Sequence, residues 1–68
     1  MILTHMKMLI RQDADMVAVK EILAAYEGAR LDEAECIVYY DTNPKLVSDI
    51  IEELHPFQYG IKIRNELV

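Results

Sequence analysis

Three side chains could act as nucleophile, metal ligand or proton carrier near neutral pH: Cys36, His5 and His55. A cysteine attacks only as thiolate, which needs cationic neighbours; the residue beside Cys36 is Glu35. At the head of the run Cys36-Ile37-Val38-Tyr39-Tyr40, the thiol reads as a small buried hydrophobe. A structural zinc site needs ligand pairs at short spacing, and Cys36, His5 and His55 lie far apart in sequence. His55 stands near Glu52 and Glu53, where an imidazole can pass protons or sense pH. No second catalytic group accompanies it, so its expected role is a cation near the negative end of a helix. His5 is given no functional weight. Asp32, Glu33 and Glu35 make an acidic turn, but the regular oxygen ligands and central glycine of a calcium loop are missing. Gly28 and Gly60 are the only glycines, too few for a phosphate-cradling loop. The sequence therefore predicts a protein that is not an enzyme and has no cofactor and no metal.

Charge offers more than reactivity does. The chain carries a net charge of −5, which argues against a surface that clings everywhere to nucleic acid or anionic lipid. The distribution is uneven. The acids Asp13, Asp15, Glu21, Glu27, Asp32, Glu33, Asp49, Glu52 and Glu53 fall on helices and loops. Lys7, Arg11, Lys62 and Arg64 fall on outward positions of two strands. If those strands are neighbours, one sheet face is basic, with Leu9 and part of the central strand beside it: Val38 with Tyr40, or Tyr39 with Ile37. Such a face suits self-association or a nucleic-acid contact, because basic stems hold phosphates and aromatic rings stack bases. Asp49, Glu52 and Glu53 form a separate acidic patch that could meet a basic partner.

The elements that position these residues follow from periodicity. Met6, Met8 and Ile10 alternate with Lys7, Leu9 and Arg11, which marks a strand. Asp13 is the expected N-cap of a first helix, with Asp15 adding charge at its positive end. Met16, Val19, Ile22, Leu23 and Tyr26 recur at helical spacing, and Gly28 closes the helix. Ala29-Arg30-Leu31 is a stub of strand or a loop that turns at Asp32-Glu33. Cys36 to Tyr40, β-branched and aromatic, reads as the central strand. Asn43 caps a second helix with Pro44 at its first position. Leu46, Val47, Ile50, Ile51 and Leu54 supply its apolar stripe, and Pro56 ends it. Phe57, Tyr59, Ile61 and Ile63 then alternate with Gln58, Gly60, Lys62 and Arg64, a last strand with one wet side.

Two strands with one apolar and one polar face require both helices on the same side of the sheet. The preferred architecture is an α+β two-layer sandwich, ferredoxin-like β-α-β-β-α-β, with a very short second strand. The alternative is a three-stranded β-α-β-α-β sheet, whose right-handed crossovers would bury both faces.

The chain of 68 residues makes one domain. Residues 1–5 are set apart as flexible or as a cloning remnant before a native start at Met6. A domain this small buries only about 60% of its unfolded surface, and one cysteine forbids an internal disulfide. With 53% hydrophobic residues, self-association as a homodimer is the expected remedy. No apolar run is long enough to cross a bilayer, no signal peptide is evident, and a lone cysteine fits the cytoplasm. The leading expectation is a non-catalytic, cytoplasmic interaction or regulatory module, homodimeric through the exposed sheet face or an edge strand. A nucleic-acid-binding face and an acidic phage-type inhibitor of a nucleic-acid enzyme are the alternatives.

The β-α-β-β-α-β plan resembles the small regulatory domains of the ACT type, which implies dimerisation and amino-acid binding. Where those domains carry a glycine between first strand and first helix, this chain has Gln12-Asp13-Ala14. The run from Met8 through Glu21-Ile22-Leu23 to Gly28, followed by Ile37-Val38-Tyr39-Tyr40, is similar to the C-terminal region of bacterial replicative polymerase α subunits. There the spacing after Gly28 is shorter and a further strand follows.

Overall fold

The computed structural model describes residues 1–68. In chain order the elements are β1 (Ile2–Ile10), α1 (Met16–Leu23), β2 (Arg30–Asp32), β3 (Ile37–Thr42), α2 (Pro44–Glu53), a 3-10 turn (His55–Phe57) and β4 (Gln58–Leu67). The four strands form one sheet in the order β2-β3-β1-β4, and every neighbouring pair is antiparallel. The result is a small α+β fold with two helices, in the element order expected from the sequence. The second strand is three residues long, so the three-stranded alternative is not adopted.

Alternation along β1 decides the layering. Met6, Met8 and Ile10 are at most 1% exposed. They join Val38 and Tyr40 of β3, Val19 and Leu23 of α1, and Val47, Ile50 and Leu54 of the α2 region in one core cluster. Both helices therefore cover the same side of the sheet. The cross-strand register sorts the rest. Met6 lies between Tyr40 and Ile63, and Met8 between Val38 and Ile61, on the helix side. Lys7 lies between Tyr39 and Lys62, and Leu9 between Ile37 and Gly60, on the open side.

Helix α1 starts later than its sequence suggests. Asp15, not Asp13, is the N-cap, accepting from the N–H groups of Val17 at 3.1 Å and Ala18 at 3.2 Å. Asp13 is occupied by the Arg11 guanidinium at 3.1–3.2 Å, and the turn Ala14 N–H to Arg11 C=O takes up the residues between. The helix ends at Leu23, after which short turns at Ala25 and Tyr26 carry the chain on to Gly28. Tyr26 keeps its apolar position through those turns, packed edge-on against Tyr40 with the ring centres 6.0 Å apart. Gly28 has φ +88, the left-handed conformation glycine adopts at little cost.

Helix α2 forms as its sequence dictates. The Asn43 side chain accepts from Lys45 N–H at 2.9 Å and Pro44 opens the helix. Cys36, by contrast, is not in the strand. It sits in the β2–β3 turn with φ 55, partly buried, its thiol 3.5 Å from the Glu33 carbonyl. Tyr59 also departs from expectation. The register steps from Leu9↔Gly60 to Ile10↔Gln58, so β4 holds one extra residue there, and Tyr59 is 68% exposed.

Strands β1 and β4 run past the rest of the sheet. Their pairing reaches Ile2↔Leu67, whereas β1 and β3 begin to pair only at Thr4↔Thr42. On the helix side of this projecting end Ile2 and Leu67 are 49% and 82% exposed, and Ile63, opposite Met6 on the outer strand, is 50% exposed. Thr4 closes the core beneath it, buried and donating to the Asn65 side-chain oxygen at 2.7 Å.

Candidate interaction surface

The open face is built from rows of side chains set by register. One row crosses all four strands: Arg30 of β2, Tyr39 of β3, Lys7 of β1 and Lys62 of β4. The Arg30 guanidinium lies 4.3 Å from the centre of the Tyr39 ring and the Lys7 ammonium 5.6 Å from it, both within cation–π range. The next row places Asp41, His5 and Arg64 side by side, with Glu66 two residues farther along β4. A shallow depression of about 320 Å³ lies over these two rows, between Tyr39 and Lys62. A third row, Asp32, Ile37, Leu9 and Gly60, is the most apolar.

His5 is the most constrained side chain on this face. Its Nδ1 is 2.8 Å from the Asp41 carboxylate and its Nε2 is 3.1 Å from the Glu66 carboxylate. Both partners only accept, so two ring N–H donors are needed, which is the protonated form. The bond to Asp41, then that to Glu66, holds the imidazole pKa above its ordinary 6.5, with desolvation and then Arg64 opposing.

Of the residues picked out by sequence, Lys7, Leu9, Lys62 and Arg64 lie on this face. Arg11 lies past the end of β1. It is tied to Asp13 and lines a separate depression with Pro56 and Phe57. Val38 and Tyr40 are a correction: at 0% and 3% exposure they belong to the core. Strand β3 is apolar on both sides, so its composition leaves open which half faces the helices. Asp41 shares the side of Ile37 and Tyr39, and a carboxylate belongs where water reaches it. That is the one signal pointing to the right half. Arg30, His5, Asp41 and Glu66 escape a reading of the sequence, because only register brings them together.

The acidic patch is a separate place. Asp49, Glu52 and Glu53 are exposed on α2 and border a depression of about 450 Å³ with Tyr26. The Tyr26 hydroxyl donates to the Glu53 carboxylate. That bond, with a smaller contribution from burial, pushes the phenol up to about 12. Glu53 is thus engaged within the chain, which leaves Asp49 and Glu52. His55 falls in the 3-10 turn rather than in the last turn of α2, and is exposed.

No family model, curated protein or solved structure matches this chain. No helix is long and apolar enough to cross a membrane.

Proposed function

We propose that the protein is a non-catalytic interaction module of ferredoxin-like architecture, acting in the cytoplasm as a homodimer. The observation that carries this reading is the asymmetry of the sheet: one face is roofed by both helices, while the other face and the ten-residue outer strand β4 are bare. Long open edges are hazards that proteins usually blunt or pair. Apolar side chains left half exposed beside such an edge, here Ile2, Ile63 and Leu67, favour pairing. Sedimentation at micromolar concentration tests it. A mass twice the 7.9 kDa of the chain is expected, and a monomer at every concentration would reject the reading.

A second reading, nucleic-acid binding, draws support from the row Arg30, Tyr39, Lys7 and Lys62. It is the weaker one. Tyr39, the ring on which a base would stack, is already flanked by two cations of its own chain, and Asp32, Asp41 and Glu66 share the face. Single-stranded RNA titrated at low salt checks it. Binding that is lost when Lys62 and Arg64 are both replaced by alanine would favour this reading. The acidic-inhibitor reading rests on Asp49 and Glu52 alone.

A further inference from the structure

We infer that β4 pairs antiparallel with β4 of a second copy, about a two-fold axis passing through Asn65. The inference rests on the dimeric reading above and specifies its edge and its register.

Backbone direction comes first. The Val68 N–H donates to the Met1 carbonyl at 2.9 Å, so the backbone groups of Val68 face β1. In a regular strand these groups alternate sides. Those of Glu66, Arg64 and Lys62 then face β1 as well, and those of Ile63, Asn65 and Leu67 face outward. The opposite edge of the sheet offers only the three residues of β2.

Register comes second. In a continuous sheet the helix sides of both copies lie together, so a two-fold axis passes through a residue that faces its own copy. An axis through Ile63 sets Lys62 against Arg64 of the second copy, twice. Axes through Lys62, Arg64 or Glu66 set like charges against each other at the axis itself. Closer to either end, the bulge at Tyr59 or the end of the strand cuts the ladder short. With the axis at Asn65, Arg64 faces Glu66 of the second copy, and Glu66 faces its Arg64. Opposite charges so placed attract and like charges repel. Arg64 forms no salt bridge within its own chain, whereas Glu66 uses Oε1 for His5 and keeps its other oxygen for the partner.

The same register settles the helix side. Ile63 faces Leu67 of the second copy, so Ile2, Leu67 and the partner's Ile63 form one strip across the join. These are among the apolar side chains that the helices leave uncovered. Outward backbone groups, opposite charges and exposed apolar residues thus agree on a single alignment.

Charge reversal tests it in solution. Arg64→Glu and Glu66→Arg each create two facing like-charge pairs, so each variant alone should self-associate about ten-fold more weakly or worse. Mixed in equal amounts, the two should pair with each other. The carboxylate introduced at position 64 of one then meets the guanidinium introduced at position 66 of the other, and the native Glu66 meets the native Arg64. Native mass spectrometry reads this as a heterodimer. Cysteine placement gives a second measurement in a Cys36→Ser background. Asn65→Cys at the axis should oxidise readily to a covalent dimer, its Cα separation of about 5.5 Å being within disulfide range. Lys62→Cys should not, since it would sit about 20 Å from its copy. Should a charge variant lose its far-ultraviolet circular dichroism, the cysteine pair decides. Wild-type dimer with no preference for the mixture, or with equal cross-linking at 62 and 65, overturns the register but leaves the dimeric reading standing. Wild-type monomer overturns both.

Discussion

The β1–β4 ribbon has two halves of the same chemistry and opposite fates. Met6, Met8 and Ile10 are sealed beneath the helices, while at the projecting end Ile2 and Leu67 take the same side of the sheet and remain in water. Strand periodicity says which side a residue takes, and only the reach of the covering layer says whether that side is dry. The helices, eight and ten residues long, do not cover the end of the ribbon. A residue under them contributes to folding, and one beyond them is free to contribute to association.

Truncating one residue from each half separates folding from association. Met8→Ala should cost about 2–5 kcal/mol, read by urea unfolding against the wild type at matched protein concentration. That loss is large for a domain this small. Leu67→Ala should cost less than about 0.5 kcal/mol in the monomer, yet lower the fraction of the proposed dimer in sedimentation. If Leu67→Ala instead destabilised the chain as Met8→Ala does, the two halves would be equivalent and the distinction would be lost.

A middle-sized effect is expected at the cap of α2, the longer part of the roof. Asn43→Ala removes the acceptor for Lys45 N–H and should cost about 1 kcal/mol in thermal unfolding.

The open face supplies a test that depends on pH. Because folding raises the His5 pKa above 6.5, the folded chain binds the proton more tightly than the unfolded chain does. Its contribution is fully present below pH 6.5 and is lost as pH rises through the raised value. Asp41→Asn, which removes the largest cause, should bring the His5 pKa down towards 6.5 in an NMR titration. It should also flatten the loss of stability on the alkaline side. The smallest effect concerns the acidic patch: Tyr26→Phe should abolish the phenol that ionises at about 12, read by ultraviolet titration.

Legibility follows the range of the interactions. Asn43-Pro44 announces a helix start through contacts spanning a few residues, and α2 begins there. Strand β1 is plain from its own alternation. The start of α1 is ambiguous in sequence because Asp13 and Asp15 are equally good caps in isolation, and it is the Arg11 guanidinium that removes Asp13. Composition puts Cys36 in a strand, although its backbone turns into a conformation that non-glycine residues seldom take. Val38 and Tyr40 can be placed on either side because β3 is apolar on both. The His5 clamp is illegible for a related reason: Asp41 and Glu66 reach it only through the pairings of β1 with β3 and with β4.

The sheet order has a consequence for synthesis. Strand β1 lies between β3 and β4, and its partner on one flank is made after the other three strands of the sheet. A ribosome-bound chain that has completed α2 still exposes one whole flank of β1. Contacts so distant along the chain close late. Nascent molecules held at that stage, or shortened before residue 58, would present a sticky ladder rich in methionine and isoleucine. Chaperone capture or aggregation of such fragments is the expected cost of pairing β1 with the distant β4 at the centre of the fold.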